Sequence, residues 1–346
     1  GYRCYGVQTA ADRYFGKDVS ELTLAECAVL AGLTNNPSVY DVYNHPEKVK
    51  ERQELILAQM LEQGMIDQAT HDAAVAEDVG EPYTYFTDAV IKDVVNDLME
   101  QKGYSETVAY NMVNSGGLSI YATIDTSIQS ILDQVWADDS VFPNTEKYGE
   151  RPQSAMVITD KVGNIVGIAG GRGEKTGKLD FSYATDAKRQ PGSSFKPLST
   201  YGPAMDQGVI VPSSTVYDKA LSTDDNGRPW PMNDGKMPTG RAMSVESGIA
   251  SSVNTIAVQV LNALTPQKSF DFLTQRLGFA DSLVSSRTEA DGRVSTDIAL
   301  APLALGGLTD GVTVRDMAGG FATFINEGVY GGTRTYTQVT DSEGNV

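Results

Sequence analysis

The chain has 346 residues, 40% hydrophobic and 21% charged, a globular composition with room for two domains. Its net charge of −18 argues against a nucleic-acid partner, and against close adhesion to anionic lipid without an anchor. Cys4 and Cys27 are too few for a disulfide framework, and His45 and His71 have no ligand spacing, which excludes a zinc site or a Ser-His-Asp triad. A nucleophile in this protein must be activated by something other than histidine.

The first stretch reads as helices. Thr23 and Glu26 form a capping-box pattern ahead of an apolar run over 24–30, in which Cys27 is expected to be a buried small hydrophobe. A second helix is expected from Asn44, with Pro46 in its first turn, to Gly64, its apolar face carried by Val49, Leu55, Ile56, Met60 and Leu61. A connecting region over 81–152 holds a helix near 87–101, an extended piece over 118–124 and a short helix around 128–136. From Gln153 the pattern changes. Segments 154–159 and 164–169 are β-rich and the intervening 160–163 reads as a hairpin turn. These are also the longest apolar runs, far short of the about 20 residues of a spanning helix. Beyond a glycine-rich loop come helical stretches to about Gln207, over 244–264 and over 298–328, with a polar loop at 218–238.

Ser193-Ser194-Phe195-Lys196 places a hydroxyl and an amine three residues apart, on one face of a helix. Pro197 is tolerated only near a first turn, which puts Ser193 at a helix N-terminus, where the helix dipole favours an alkoxide and a lowered lysine pKa. A neutral lysine can serve as the base that histidine does not supply. Alone, the four-residue motif reads first as a capping serine beside a solvent-facing lysine. Ser252-Val253-Asn254, between helical pieces 244–250 and 255–264, supplies a hydroxyl and a carboxamide that can relay a proton and hold a substrate amide.

Ser-x-x-Lys followed by Ser-x-Asn belongs to the motif set of penicillin-binding proteins and class A β-lactamases. The run Arg189-Gln190-Pro191-Gly192-Ser193-Ser194-Phe195-Lys196-Pro197 resembles the nucleophile segment of high-molecular-weight penicillin-binding proteins. Gly6-Val7-Gln8-Thr9-Ala10-Ala11 through Tyr14-Phe15-Gly16-Lys17, with Leu22-Thr23-Leu24-Ala25-Glu26, looks like the end of a peptidoglycan glycosyltransferase domain. Gly117-Leu118-Ser119-Ile120-Tyr121-Ala122-Thr123-Ile124-Asp125 is similar to that family's linker, and Ala304-Leu305-Gly306-Gly307 with Gly311-Val312-Thr313 to its transpeptidase pattern. Class A, the bifunctional type, is the implied group.

That resemblance implies a multidomain α and α/β fold: a helical glycosyltransferase remnant at 1–80, a linker at 81–152, and a transpeptidase domain of serine β-lactamase-like type at 153–346, its antiparallel sheet flanked by helices. It implies a peptidoglycan D,D-transpeptidase that works through an acyl-enzyme, with Ser193, Lys196, Ser252 and Asn254 as catalytic residues and no metal or organic cofactor. Implied partners are peptidoglycan stem peptides, the lipid-linked precursor and β-lactams, at the outer side of the bacterial cytoplasmic membrane, with the full-length protein anchored there. A D,D-carboxypeptidase or β-lactamase, or a β-lactam-binding module without turnover, are the other readings. Lys175-Thr176-Gly177 has the letters of the family's third motif but precedes the nucleophile, and is expected to be a coincidence in a mobile surface loop. The start at Gly1 and the end at Val346 read as cuts, leaving the glycosyltransferase glutamates and the true third motif outside the sequence.

Overall fold

The computed structural model describes residues 6–15, 18–36, 39–40, 46–77, 84–143, 151–173, 175, 179–224 and 226–346. The chain divides into two compact units. The first comprises Gly1–Ser119, Lys175–Leu179 and Val339–Val346; the second Ile120–Glu174 and Asp180–Gln338.

The first unit is helical: α1 Val7–Phe15, α2 Leu24–Leu33, α3 Pro46–Glu62, α4 Gln68–Ala76, α5 Tyr85–Lys102 and α6 Glu106–Ser115. The α2 box closes as its letters require, Glu26 N donating to Thr23 Oγ1 at 3.2 Å and Thr23 N to Glu26 Oε2 at 2.8 Å. Cys27, however, is exposed, because α2 buries Ala25, Glu26, Ala28, Val29 and Leu30 around it and leaves position 27 on the outer face. In α3 the inward residues are Val49, Gln53 and Leu57, four apart in sequence, whereas Leu55 is 47% exposed. Asn44 lies outside the described residues. Helix α5 packs on α6 through Ile91, Val95 and Ala109.

Lys175 departs furthest from expectation. Instead of lying in a solvated loop, its amine sits 2.8 Å from Asp88 Oδ2 of α5, with side-chain exposures of 9% and 2%, and 5.2 Å from the Tyr85 ring centroid. A buried acid drew a cation that the glycine-rich sequence suggested was free. Thr176 and Gly177 lie outside the described residues.

In the second unit, β2 Met156–Thr159 and β3 Ile165–Ala169 form the expected antiparallel hairpin, Val157 opposite Ile168 and Ile158 opposite Gly167. Asp160 makes the turn by accepting from Val162 N and Asn164 N, both at 2.9 Å. Helix α7, Thr126–Ala137, covers β3, and the Gln129 amide exchanges two 2.9 Å bonds with the Ile168 backbone. Strand β1, Ser119–Ala122, pairs with β10, Tyr336–Thr340.

The rest of this unit is helices with short strand pairs: α8 Gly202–Asp206, β4 Thr215–Tyr217, β5 Ser222–Thr223, β6 Pro229–Trp230, β7 Ala242–Ser244, α9 Val245–Ala250, α10 Asn254–Leu264, α11 Pro266–Arg276, β8 Arg287–Thr288, β9 Val294–Ser295, α12 Leu300–Leu305 and α13 Val314–Ile325. Helix α10 is apolar on nearly every side, and Ile256, Ala257, Val258, Leu261 and Leu264 are all buried, so it forms the axis of the core. Phe195, Leu198, Leu273, Phe279 and Leu303 close around it, with Phe195 edge-on to Phe279 at 5.5 Å between ring centroids.

Candidate active site

Ser193 stands in a 3₁₀ turn, Gly192–Phe195, that continues through Lys196 into a π-helical turn, Pro197–Tyr201, and then α8. Proline heads the π turn and presets the backbone φ there, with no N–H of its own to place. Phe195 and Leu198 are buried in the core and thereby fix the turn, leaving Ser193 exposed at its mouth.

The preceding loop is fastened by backbone. Arg189 and Val312 exchange N–H···O bonds of 2.9 Å, the Gln190 amide donates to Leu308 O at 2.6 Å, and Gly192 N donates to Gly306 O at 3.2 Å. Only glycine suits Gly306 and Gly311, with φ of +71° and +92°. A Cβ on the first would stand 2.1 Å from Gly192 O, and on the second 2.4 Å from the Arg189 backbone. The Gly306–Gly307 and Gly311–Thr313 letters therefore record a backbone-to-backbone seat for the nucleophile loop.

Lys196 is 2% exposed and donates three hydrogen bonds: to Ser252 O at 2.8 Å, Ser252 Oγ at 3.1 Å and Asn254 Oδ1 at 2.7 Å. These span 56 and 58 residues of sequence, so the two motifs meet on one amine. The expected bond between Ser193 and Lys196 is not formed: among the described residues no acceptor or donor engages the Ser193 hydroxyl, and all three ammonium protons face the second motif. Burial pulls the Lys196 pKa down to about 8, by desolvation of its charged form.

Ser252 owes its direction to a helix terminus. Val253 N donates to Gly248 O and Ser252 N to Ile249 O, both at 2.9 Å, the paired bonds of a Schellman cap on α9. The residue after such a cap is left-handed and usually glycine; here it is Ser252, at φ +50°. That conformation costs about 1–2 kcal/mol and turns carbonyl and hydroxyl alike toward Lys196. Asn254 opens α10, and its Nδ2 donates to Met232 O at 2.8 Å. A carbonyl on that side fixes the amide so that its oxygen faces the lysine. Sequence reading missed Met232, and the only available signal was the polar loop around it.

An exposed hydroxyl one turn from a buried amine of lowered pKa, with a hydroxyl and a carboxamide on that amine, can perform acyl transfer without histidine. The model of the penicillin-binding protein transpeptidase domain matches residues 153–343, which contain all four groups, and the transglycosylase model matches residues 1–61. Penicillin-binding protein 1F of Bacillus subtilis is 33% identical over 349 residues, covering 99% of this chain and 45% of that protein. Penicillin-binding protein 1A of Clostridium perfringens (strain 13 / Type A) is 30% identical over 379 residues, covering 100% and 54%. The chain thus spans about half the length of the curated relatives it matches. Among solved structures, penicillin-binding protein 1A of Haemophilus influenzae has a TM-score of 0.54 at 22% identity, over 100% of this chain and 62% of that one. PonA1 of Mycobacterium tuberculosis has a TM-score of 0.54 at 24% identity, over 75% and 62%. At these identities the structures speak for the fold.

Proposed function

Since the chain belongs to the penicillin-binding protein transpeptidase domain family, we propose that it is a serine D,D-transpeptidase of peptidoglycan, drawn from a protein that also polymerises glycan strands. The observation that carries this reading is the single amine, Lys196, bound to both Ser252 and Asn254 one turn from the open hydroxyl of Ser193. The domain division that accompanies it is a glycosyltransferase portion at 1–80, a linker at 81–152 and the transpeptidase at 153–346.

In the reaction, neutral Lys196 takes the Ser193 proton as Oγ bonds to the carbonyl carbon between the last two D-alanines of a stem peptide. The N–H of Ser193, in the first turn of the helical segment, is the donor assigned to the developing oxyanion. The C–N bond then breaks, and the leaving D-alanine nitrogen receives a proton through Ser252 from Lys196. Asn254 holds the lysine and the peptide backbone. An amine of a neighbouring stem attacks the ester, its proton leaves by the same relay, and Ser193 is restored. A β-lactam enters the first step and stays, since its leaving group remains attached. The partners are stem peptides, the lipid-linked precursor and β-lactams. The site of action is the bacterial envelope, outside the cytoplasmic membrane, to which the whole protein is anchored.

Labelling with a fluorescent penicillin followed by peptide mapping tests the reading. Label is expected on Ser193 and absent in Ser193→Ala. Incubation with a stem pentapeptide and an acceptor amine should give cross-linked dimer; free tetrapeptide alone would make the protein a carboxypeptidase, and label without turnover a binding module. Label on another residue would overturn the assignment.

A further inference from the structure

A buried carboxylate stands behind Asn254. We propose that Asp218 is a positioning residue, which fixes Asn254 and through it Lys196 by clamping the loop that carries Met232 onto the first turn of α10.

Asp218 is 2% exposed and makes no contact with the lysine. Its Oδ1 accepts from Thr255 Oγ1 at 2.6 Å and Asn233 Nδ2 at 2.7 Å, and its Oδ2 from Thr239 N and Thr239 Oγ1, both at 2.8 Å. Four donors converge on one acceptor-only group, a demand that neither asparagine nor serine can meet. Two of these donors flank the machinery in sequence. Thr255 follows Asn254 on α10. Asn233 follows Met232, whose carbonyl fixes the Asn254 amide, and Asn233 Oδ1 also accepts from Thr255 N at 3.2 Å. The carboxylate therefore binds both sides of the Asn254–Met232 bond to one point.

That point is itself held. Asp218 N donates to Arg241 O and Gly240 N to Asp218 O, both at 2.8 Å, beside the β4–β7 pair. Burial alone would raise the Asp218 pKa, but the bonds from Thr255, Thr239 and Asn233 outweigh it and hold it at about 2, so the group remains an acceptor throughout the working pH range.

Released from this clamp, the loop lets the Asn254 amide turn, and a lysine that met an oxygen then meets a donor. The role rests on the assignment of Lys196 as base under the proposed function, so its test uses a separate read-out. Lys196 labelling by an amine-acylating reagent at pH 8, quantified by mass spectrometry, is compared in the parent, Asp218→Asn, Asn254→Ala and the double variant.

The parent should label slowly because its amine is buried. Each single variant should label about fivefold faster or more, and the double no faster than Asn254→Ala, since groups acting through one contact are not additive. A residue that only stabilises the fold would lower the melting temperature, leave Lys196 labelling per folded molecule unchanged, and multiply with Asn254→Ala; either result overturns the proposal. If Asp218→Asn does not fold, Thr239→Val and Thr255→Val each remove one hydroxyl donor and carry the same comparison. Fluorescent penicillin is applied to the same samples. A parent that takes up none defeats the transpeptidase reading, while Lys196 labelling still decides the positioning role.

Discussion

Replacing Asn254 by Asp puts a carboxylate where an amide oxygen lies 2.7 Å from the Lys196 amine. In the parent, burial holds the lysine pKa at about 8. Roughly one molecule in ten then carries neutral lysine at pH 7, by the ordinary titration relation. Ser193 acylation should accordingly rise about tenfold between pH 7 and pH 9 and then level off. An opposite charge at this range raises a lysine pKa by about 1–3 pH units, because it favours the protonated form. The neutral fraction at pH 7 falls by the same ratio, so Asn254→Asp should acylate at least about tenfold more slowly there. The deficit should narrow as pH approaches 10. The new carboxylate also cannot donate to the Met232 carbonyl, which lowers the rate at every pH without moving the profile. The assay is the second-order rate of fluorescent-penicillin labelling from pH 6 to pH 10.5. A profile whose midpoint stays near the parent's, with a uniform loss at all pH values, would refute the role of Lys196 as the titrating base.

Three further substitutions separate stability from chemistry. Ser252→Gly removes a side chain held at φ +50° and keeps the 2.8 Å bond from Lys196 to the residue 252 carbonyl. Its melting temperature should equal or exceed the parent's, by relief of about 1 kcal/mol of backbone strain, while acylation falls about 100-fold; a rate within twofold would dismiss the hydroxyl relay. Gly306→Ala drives a Cβ to 2.1 Å from Gly192 O, so urea unfolding should show a loss of about 2 kcal/mol or more, with acylation reduced at least about tenfold. Unchanged labelling would mean that the nucleophile loop does not depend on this seat. Lys175→Met strands the buried Asp88 and should cost about 3–5 kcal/mol, with the labelling rate per folded molecule within about twofold of the parent. A larger fall in that rate would return Lys175 to the site.

The motifs were legible because their chemistry is local. Three-residue spacing brings Ser193 and Lys196 to one turn, Pro197 marks its start, and the alternation in 154–169 announces the hairpin. That Ser252 and Asn254 share a site with Lys196 came from the motif resemblance. That both bind the amine itself, and Ser193 does not, was not legible, since these partners lie 56 and 58 residues away and are aimed by a Schellman cap with serine in the left-handed place. Glycine there would have been a recognisable signal; serine looks like any other polar loop residue. Lys175 misled the reading and Asp218 went unmarked within its polar loop for one reason. A charged residue in a glycine-rich or polar stretch reads as solvated, and only tertiary structure shows that Asp88 buries the first and that four donors surround the second. The exposed Cys27 and Leu55 show the limit of a periodicity count, which finds a helix more reliably than it finds its inward face.

The π turn at Pro197–Tyr201 has a consequence for any search by motif. Gly202 N reaches back five residues to Pro197 O, so the turn holds one residue more than an α-helix needs. Deleting a single residue there would let the segment close as regular α-helix and rotate everything before it by about 100° against α8. Ala204 anchors the downstream side in the core, and a rotation taken up on the Ser193 side would also pull Phe195 from its buried place. Such a chain would still spell Ser-x-x-Lys, with both groups turned away from Ser252 and Asn254. The angular phase of the nucleophile is thus set downstream of the letters that identify it, and a homologue one residue shorter in this turn should be judged by where its lysine points.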